Sequence, residues 1–413
     1  MLNSPNIDNL IIYLMKEKHY EQSCIDYKFQ KRNGESESKG MIYKKFKDIK
    51  LSTLGMGNMR LPTVNDVPHG EIDYARAQEI IDYAMNHEIN YYDTAYTYPG
   101  SEQFLGEAMK KYPRDSYYLA TKYWIDANPD YAAVFEEQLA KLQTDHIDFY
   151  LIHSVMEGFG TVDQYIASGC IEYFMEQKRK GRIRYLGFSS HALPESLRRM
   201  ADYTDWDFAQ IQLNYLDWAC GTTREEYEIL TERNIPVMVM EPIRGGRLAA
   251  LPEPFAEKLH TANPDWNLPS WALRFARRLP NVQVILSGMS TLEQIQENVA
   301  TFSDETPMTE EQAELALQIA RDYRSSISVA CTGCAYCVTE CPKKLEIPKF
   351  MELYNHLKYV GYLTPPEIDE MPEEAKPHNC IGCAKCTHHC PQGLPIPAVM
   401  KELKEWEGKN SAW

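Results

Sequence analysis

From Met41 to Asp304, short β-rich apolar runs alternate with stretches whose apolar residues recur three and four positions apart. The runs Leu51–Met56, Asn90–Thr94, Tyr117–Lys122, Ile147–His153, Tyr185–Ser189, Phe208–Leu213, Pro236–Met240 and Val282–Leu286 predict strands. Between them, Tyr74–His87, Tyr131–Leu142, Tyr165–Lys180 and Thr223–Asn234 predict amphipathic helices. Eight such units over roughly 260 residues match the size of a (β/α)8 TIM barrel. Alternation alone also allows an open doubly wound sheet. No G-x-G-x-x-G follows the first strand, which weighs against the dinucleotide-binding form of that sheet.

The flanks read differently. Residues 1–40 end in a polar run from Gln30 to Gly40 without apolar periodicity, expected to be a linker, and residues 9–24 have a short helical pattern. At the other end a helix over Thr309–Tyr323 leads out of the barrel pattern, and further helical patterns cover Ile347–Val360 and Ile396–Trp406. The division expected is an extension at 1–40, a barrel at 41–325 and a smaller, mainly α-helical domain at 326–413.

Charge narrows the partners. The 43 basic and 59 acidic residues among 413 leave a net charge of −16, which opposes binding to a nucleic-acid backbone. No apolar run approaches the ~20 residues a membrane helix needs. The longest near the N-terminus, Leu10–Met15, lacks a basic start, so no membrane partner is expected and the chain is expected to be cytoplasmic. In a reducing compartment, clustered cysteines more often ligate metal than pair as disulfides.

Eight of the 11 cysteines lie between Cys331 and Cys390. They form Cys331-x2-Cys334-x2-Cys337-x3-Cys341-Pro342 and Cys380-x2-Cys383-x2-Cys386-x3-Cys390-Pro391. This spacing predicts two 4Fe–4S clusters, the fourth cysteine of each run crossing to the other cluster. Cys331, Cys334, Cys337 and Cys390 are then one ligand set, and Cys380, Cys383, Cys386 and Cys341 the other. Structural zinc is the alternative, but zinc sites use two cysteine pairs split by a longer spacer. The segment between the motifs is too long for a compact βαβ ferredoxin, and the unit resembles α-helical ferredoxins that serve as electron-transfer modules. Cys24, Cys170 and Cys220 stand apart.

A second constellation lies in the barrel. Asp93 and Tyr98 fall at or just after one predicted strand end, Lys122 ends another and His153 a third. Chemistry in such barrels is built at that face, and an ionisable Lys or His closing an apolar strand is costly unless paired. A lone His there is more often a core residue, and Tyr is common in this chain with 27 copies, so the joint pattern carries the argument. A Lys ammonium beside a phenol favours the phenolate, an Asp holds the Lys, and a His can orient a carbonyl oxygen.

These residues, with the run Asp93 to Glu102 and Gly187-Phe188-Ser189-Ser190, resemble the aldo-keto reductase superfamily over about residues 41–304. The resemblance implies a (β/α)8 barrel, a nicotinamide dinucleotide, and Tyr98 as general acid beside Asp93, Lys122 and His153. It places Ser189 and Gln212 at the carboxamide and Gly57 and Asn58 among the nucleotide contacts. It assigns Ser287, Gly288, Ser290, Gln294, Glu297 and Asn298 to the adenosine end, with Arg244, Gly245 and Arg247 as a neighbouring, partly basic loop. Asn214 falls where many members have Glu, and Met240 where an aromatic ring often stacks. Many members also place Lys and Arg at the positions of Gly288 and Gln294, which leaves NADP(H) and NAD(H) both open.

The expectation is therefore NAD(P)H-dependent reduction of an aldehyde or ketone by a chain carrying two clusters. The alternative is an electron-transfer protein whose clusters serve a ferredoxin or flavoprotein while the barrel mainly binds nucleotide. Hydride carries two electrons and each cluster takes one, so direct exchange would need an adapter such as a flavin.

Overall fold

A computed structural model of the chain describes residues 40–67, 70–360, 367–368 and 370–407. The linker and short helix expected at the N-terminus lie outside these residues. The first described element is a hairpin of β1 (Tyr43–Phe46) and β2 (Ile49–Ser52). Eight parallel strands follow: β3 (Leu54–Gly57), β4 (Tyr91–Asp93), β5 (Tyr118–Tyr123), β6 (Ile147–Val155), β7 (Ile183–Ser190), β8 (Phe208–Gln212), β9 (Val237–Met240) and β10 (Val282–Ser287). Each pairs with the next and β10 pairs with β3, so the sheet closes. Closure removes both sheet edges and excludes the doubly wound alternative.

The apolar run Leu51–Met56, expected as one strand, is two. Leu51 belongs to the hairpin, which turns Phe46, Ile49 and Leu51 into the barrel interior against Tyr91, Phe149, Tyr185, Phe208 and Val284. Tyr91 opens β4 and Phe208 opens β8, so the hairpin plugs the N-terminal end. The carboxyl ends of the strands lie at the opposite end. The expected helix Tyr165–Lys180 is likewise two, Val162–Ser168 and Cys170–Arg179, because Gly169 at φ 74° ends the first in a left-handed cap.

The C-terminal unit has its own small core. Helices Ile347–Val360 and Ile396–Lys404 bury Ile347, Phe350, Met351, Leu357, Ile396, Val399, Met400 and Leu403 together. It is an internal duplication: Cys331 and Cys380, Leu345 and Leu394, Ile347 and Ile396, and Met351 and Met400 recur at one constant offset. The backbone repeats as well. Lys344 N–H bonds Cys341 O at 3.0 Å, as Gly393 N–H bonds Cys390 O at 3.0 Å. No helix among the described residues is long and apolar enough to cross a membrane.

Candidate active site and cysteine cavities

Four side chains meet at the open end of the barrel, from β4, β5, β6 and the loop after β4. Lys122 is fully buried, and its Nζ donates to Asp93 Oδ1 at 2.5 Å and to Thr94 O at 2.8 Å. The same ammonium lies 5.0 Å from the centroid of the Tyr98 ring. Tyr98 meets His153 edge to face, with ring centroids 6.0 Å apart. Tyr98 and His153 are half-buried, whereas Asp93 and Lys122 are buried.

Burial and charge set the protonation states. Burial alone would push the Lys122 ammonium down, but Asp93 and Tyr98 beside it raise it, so it stays charged. Burial pushes Asp93 up, and Lys122 offsets part of that push. Burial also raises the Tyr98 phenol, against the pull of the Lys122 charge and hydrogen bond. The net direction is upward, so Lys122 restrains a rise rather than producing an acidic phenol. His153 is held well below its ordinary value by burial, then by Lys122 and His191, which leaves a neutral imidazole near pH 7. Its Nδ1 is a buried atom without a protein hydrogen-bond partner.

Several of the positions assigned to a nucleotide lie at or just after the same ends of the strands. Ser189 ends β7 nearly buried, and its Oγ accepts from Ser154 N–H at 2.8 Å. Buried Asn58 donates to Met56 O and Asp93 O at 3.1 and 3.0 Å, and its Oδ1 has no partner. A Cβ on Gly57 would lie 3.3 Å from Ser287 O, so glycine lets the loops after β3 and β10 touch. Asn298 donates to Ser287 Oγ at 3.0 Å, and Gln294 Oε1 accepts from Ser290 N–H at 2.8 Å. Both lie on the helix Leu292–Ser303, whose first turn faces the Gly288–Ser290 loop. Glu297 instead accepts from Asn267 at 2.8 Å on the outer side of that helix.

The sequence reading missed Arg60. Its carbonyl accepts from Ser290 Oγ at 2.6 Å, its side chain runs past Gly288, and a Cβ on Gly245 would lie 3.6 Å from its Nη2. Arg60 thus bridges the loops after β9 and β10. Arg244 and Arg247, expected as charge for the nucleotide, turn the other way. Arg247 donates to Lys358 O at 2.9 Å and Arg244 to Tyr359 O at 3.2 Å, at the carboxyl end of Ile347–Val360. Cations there meet the last carbonyls and the negative end of the helix dipole.

Gln212 at the end of β8 donates from Nε2 to Asp217 Oδ2 at 2.7 Å. Asn214, at the position where many family members have Glu, caps the helix Tyr215–Cys220 by accepting from Leu216 and Asp217 N–H groups at 3.0 and 2.9 Å. Met240 ends β9 half-buried and takes a 3.6 Å contact from Gln210 Nε2.

In the C-terminal unit the eight clustered cysteines line two cavities. One is bordered by Cys331, Cys334, Cys337 and Cys390, the other by Cys341, Cys380, Cys383 and Cys386. Each cavity therefore takes three thiols from one motif and the fourth from the other. The tight loops rest on left-handed residues, Gly333 at φ 71° and Ala335 at 61°, mirrored by Gly382 at 69° and Ala384 at 60°. Among the described residues no three His, Cys, Asp or Glu side chains converge on a point fit for a single metal ion. Four thiols spread around a cavity suit the corners of a cubane, a wider object than one zinc ion.

Comparison with known proteins agrees with both halves. The model of the aldo/keto reductase family matches residues 53–320, and that of a 4Fe-4S dicluster domain matches residues 330–394. The chain belongs to the aldo/keto reductase family, is an NAD(P)-dependent oxidoreductase, and carries a 4Fe-4S dicluster domain. It is 28% identical over 306 residues to the uncharacterized oxidoreductase YqkF of Bacillus subtilis (strain 168), spanning 66% of this chain and 93% of that one. It is 26% identical over 311 residues to the NADH-specific methylglyoxal reductase of Escherichia coli (strain K12), spanning 62% and 91%. Among solved structures, the holo form of aldo-keto reductase AKR11C1 from Bacillus halodurans superposes with a TM-score of 0.57 at 28% identity, covering 68% of this chain and 96% of that one.

Proposed function

We propose that the barrel reduces an aldehyde or ketone with NAD(P)H, with Tyr98 as general acid, and that the two cysteine cavities each hold a 4Fe–4S cluster. The observation that carries the first part is the stack of Asp93, Lys122 and Tyr98: a buried ammonium held at 2.5 Å by a carboxylate and 5.0 Å from a half-open tyrosine ring. The nicotinamide nucleotide, when bound, supplies hydride to the carbonyl carbon. Tyr98 gives its proton to the carbonyl oxygen, and the fixed Lys122 charge stabilises the phenolate left behind. His153, neutral, donates a hydrogen bond that orients the same oxygen, while the pairing of Lys122 with Asp93 keeps the ammonium from swinging away.

For the nucleotide, Ser189 and Gln212 are the carboxamide contacts, and the first turn of Leu292–Ser303 offers N–H groups to phosphate. Gly57, Asn58, Gly245, Ser287, Gly288, Ser290, Gln294 and Asn298 frame the rest, with Arg60 added as the bridging cation. Glu297 stands at the edge of this frame. The named relative from Escherichia coli is NADH-specific, which supports assaying NADH first.

A second reading, electron exchange with a ferredoxin or flavoprotein, is favoured by the mouths of the cysteine cavities. Cys334 and Cys383 are exposed, flanked by exposed Tyr336 and Ile381, with Lys343 at the rim. When bound, a cluster there passes single electrons.

Anaerobic purification followed by EPR, with NADH and NADPH oxidation measured across aldehydes and ketones, tests both parts. Carbonyl-dependent oxidation of either nucleotide supports the reductase reading. Oxidation that needs an added one-electron acceptor and ignores every carbonyl supports the second reading.

A further inference from the structure

The two halves of the chain meet at Asp217. This residue lies on the barrel, in the helix Tyr215–Cys220 that follows β8, and is 4% exposed. Its Oδ1 accepts from the phenolic hydroxyl of Tyr359 at 2.7 Å. Tyr359 belongs to the helix Ile347–Val360, whose other end packs at the cysteine cavities through Ile347, Pro348 and Met351. The Tyr359 ring is held between two guanidiniums, Arg244 and Arg324, each 4.3 Å from its centroid. Arg244 also forms an ion pair with Asp217.

The other carboxylate oxygen faces the catalytic mouth. Asp217 Oδ2 accepts from Gln212 Nε2 at 2.7 Å and from Asn214 Nδ2 at 2.6 Å. A carboxylate only accepts, so the Gln212 amide must turn its nitrogen toward Asp217 and its oxygen elsewhere. That oxygen is the atom able to receive an N–H from a carboxamide. Local space agrees with the contact: a Cβ on Gly221 would stand 3.1 Å from the Tyr359 hydroxyl and 3.0 Å from Asp217 O.

We propose that the cluster-bearing unit completes the nicotinamide site, with Tyr359 acting through Asp217 as a positioning residue for Gln212. This rests on the reading of Gln212 as a carboxamide contact. The unit then serves the barrel even where no electron passes between the halves. Displacing the helix Ile347–Val360 takes the Tyr359 donor from Asp217 Oδ1 and leaves that oxygen to Arg244 alone, so the carboxylate, and with it Gln212, is held less firmly. Nucleotide affinity is the quantity that responds, because Tyr359 touches none of the groups that transfer the proton.

The test uses the anaerobically purified full-length holoenzyme and titrates NADH and NADPH by nicotinamide fluorescence. Tyr359→Phe keeps the ring between the guanidiniums and removes only the hydroxyl. It is expected to weaken nucleotide binding about tenfold, the effect of losing a hydrogen bond to a charged group. The kcat at saturating nucleotide should stay within about twofold, the split expected of lost ground-state binding. Cluster absorbance and EPR should match the wild type. Lys358→Ala, one residue earlier with its ammonium directed to Glu402, should leave the affinity unchanged. Gln212→Ala supplies the reference. If it weakens binding while Tyr359→Phe binds as the wild type does, the positioning role is overturned and the site reading stands. If Gln212→Ala binds normally, both are overturned. A fall in melting temperature or cluster content of Tyr359→Phe with unchanged affinity also overturns the proposal. Should Tyr359→Phe lose its clusters and its nucleotide affinity together, Asp217→Asn decides, because it offers one amide oxygen where the carboxylate met four donors. A loss of affinity supports the proposal, and wild-type affinity overturns it.

Discussion

Lys122 Nζ lies 2.5 Å from Asp93 Oδ1, with the lysine side chain fully buried and the aspartate nearly so. Removing one member of a buried pair leaves the other charge without compensation, at a cost of about 3–5 kcal/mol. Lys122→Met should therefore lower the melting temperature sharply as well as the rate. The double variant Asp93→Asn with Lys122→Met should recover most of the stability and none of the activity. Thermal denaturation of the two variants beside the wild type checks this. A double variant as unstable as Lys122→Met would show that the pair is not the source of the cost.

The neutral His153 and raised Tyr98 make a statement about pH. His153 is held well below its ordinary value, so protonation should not cut the rate of carbonyl reduction between about pH 6 and 8. Tyr98, raised above its ordinary phenol value of about 10, stays protonated across that range, and with Tyr98 as the proposed acid the activity should fall only as pH rises through its pKa. The reverse reaction needs the phenolate and should gain rate with pH. Removing the ammonium in Lys122→Met should move the alkaline limb further up. A downward move would contradict the electrostatic role given to Lys122.

Stability has its own pH signature at Glu226, which is 9% exposed and whose carboxyl burial raises to about 7. A raised acid contributes stability that is fully present below its unfolded value of about 4.3. That contribution is lost as pH rises through the folded value. Glu226→Gln should therefore match the wild type near pH 4 and exceed its stability by about 3 kcal/mol at pH 8. Denaturant titrations at the two pH values check this. An equal difference at both would place the effect outside ionisation.

The interlocked cavities predict an asymmetry in iron loading. A Cys331→Ser, Cys334→Ser background should lack one of the two proposed clusters. Adding Cys390→Ser should then cost no further iron, because Cys390 borders that same cavity. Adding Cys341→Ser should deplete the second, since Cys341 borders the other. Iron and EPR analysis of the two triple variants separates the outcomes, and equal losses would contradict the exchanged ligand sets.

Much of this was legible in the sequence for a physical reason. A closed parallel barrel buries its strands on both faces, so they read as apolar runs, and Asp93, Lys122 and His153 stood out as ionisable ends of such runs. The cysteines were legible because cluster ligation fixes short spacings. The plug hairpin was hidden, since Leu51 and Leu54 sit in one apolar stretch and no Gly or Pro marks the break at Ser52 and Thr53. Arg60, Asp217 and Tyr359 were invisible for a different reason. Their partners are remote in sequence, and a cation shows its charge but not the direction it turns. Arg244 and Arg247 illustrate this, since both serve the end of a helix in the other unit.

The most direct measurement is a comparison of Tyr98→Phe with the wild type in NAD(P)H-dependent carbonyl reduction under anaerobic conditions, with cluster content and nucleotide affinity measured on the same samples. General acid catalysis predicts a loss in kcat of about 10²–10⁴, with both clusters retained and nucleotide bound as in the wild type. Unchanged turnover in Tyr98→Phe would contradict the account.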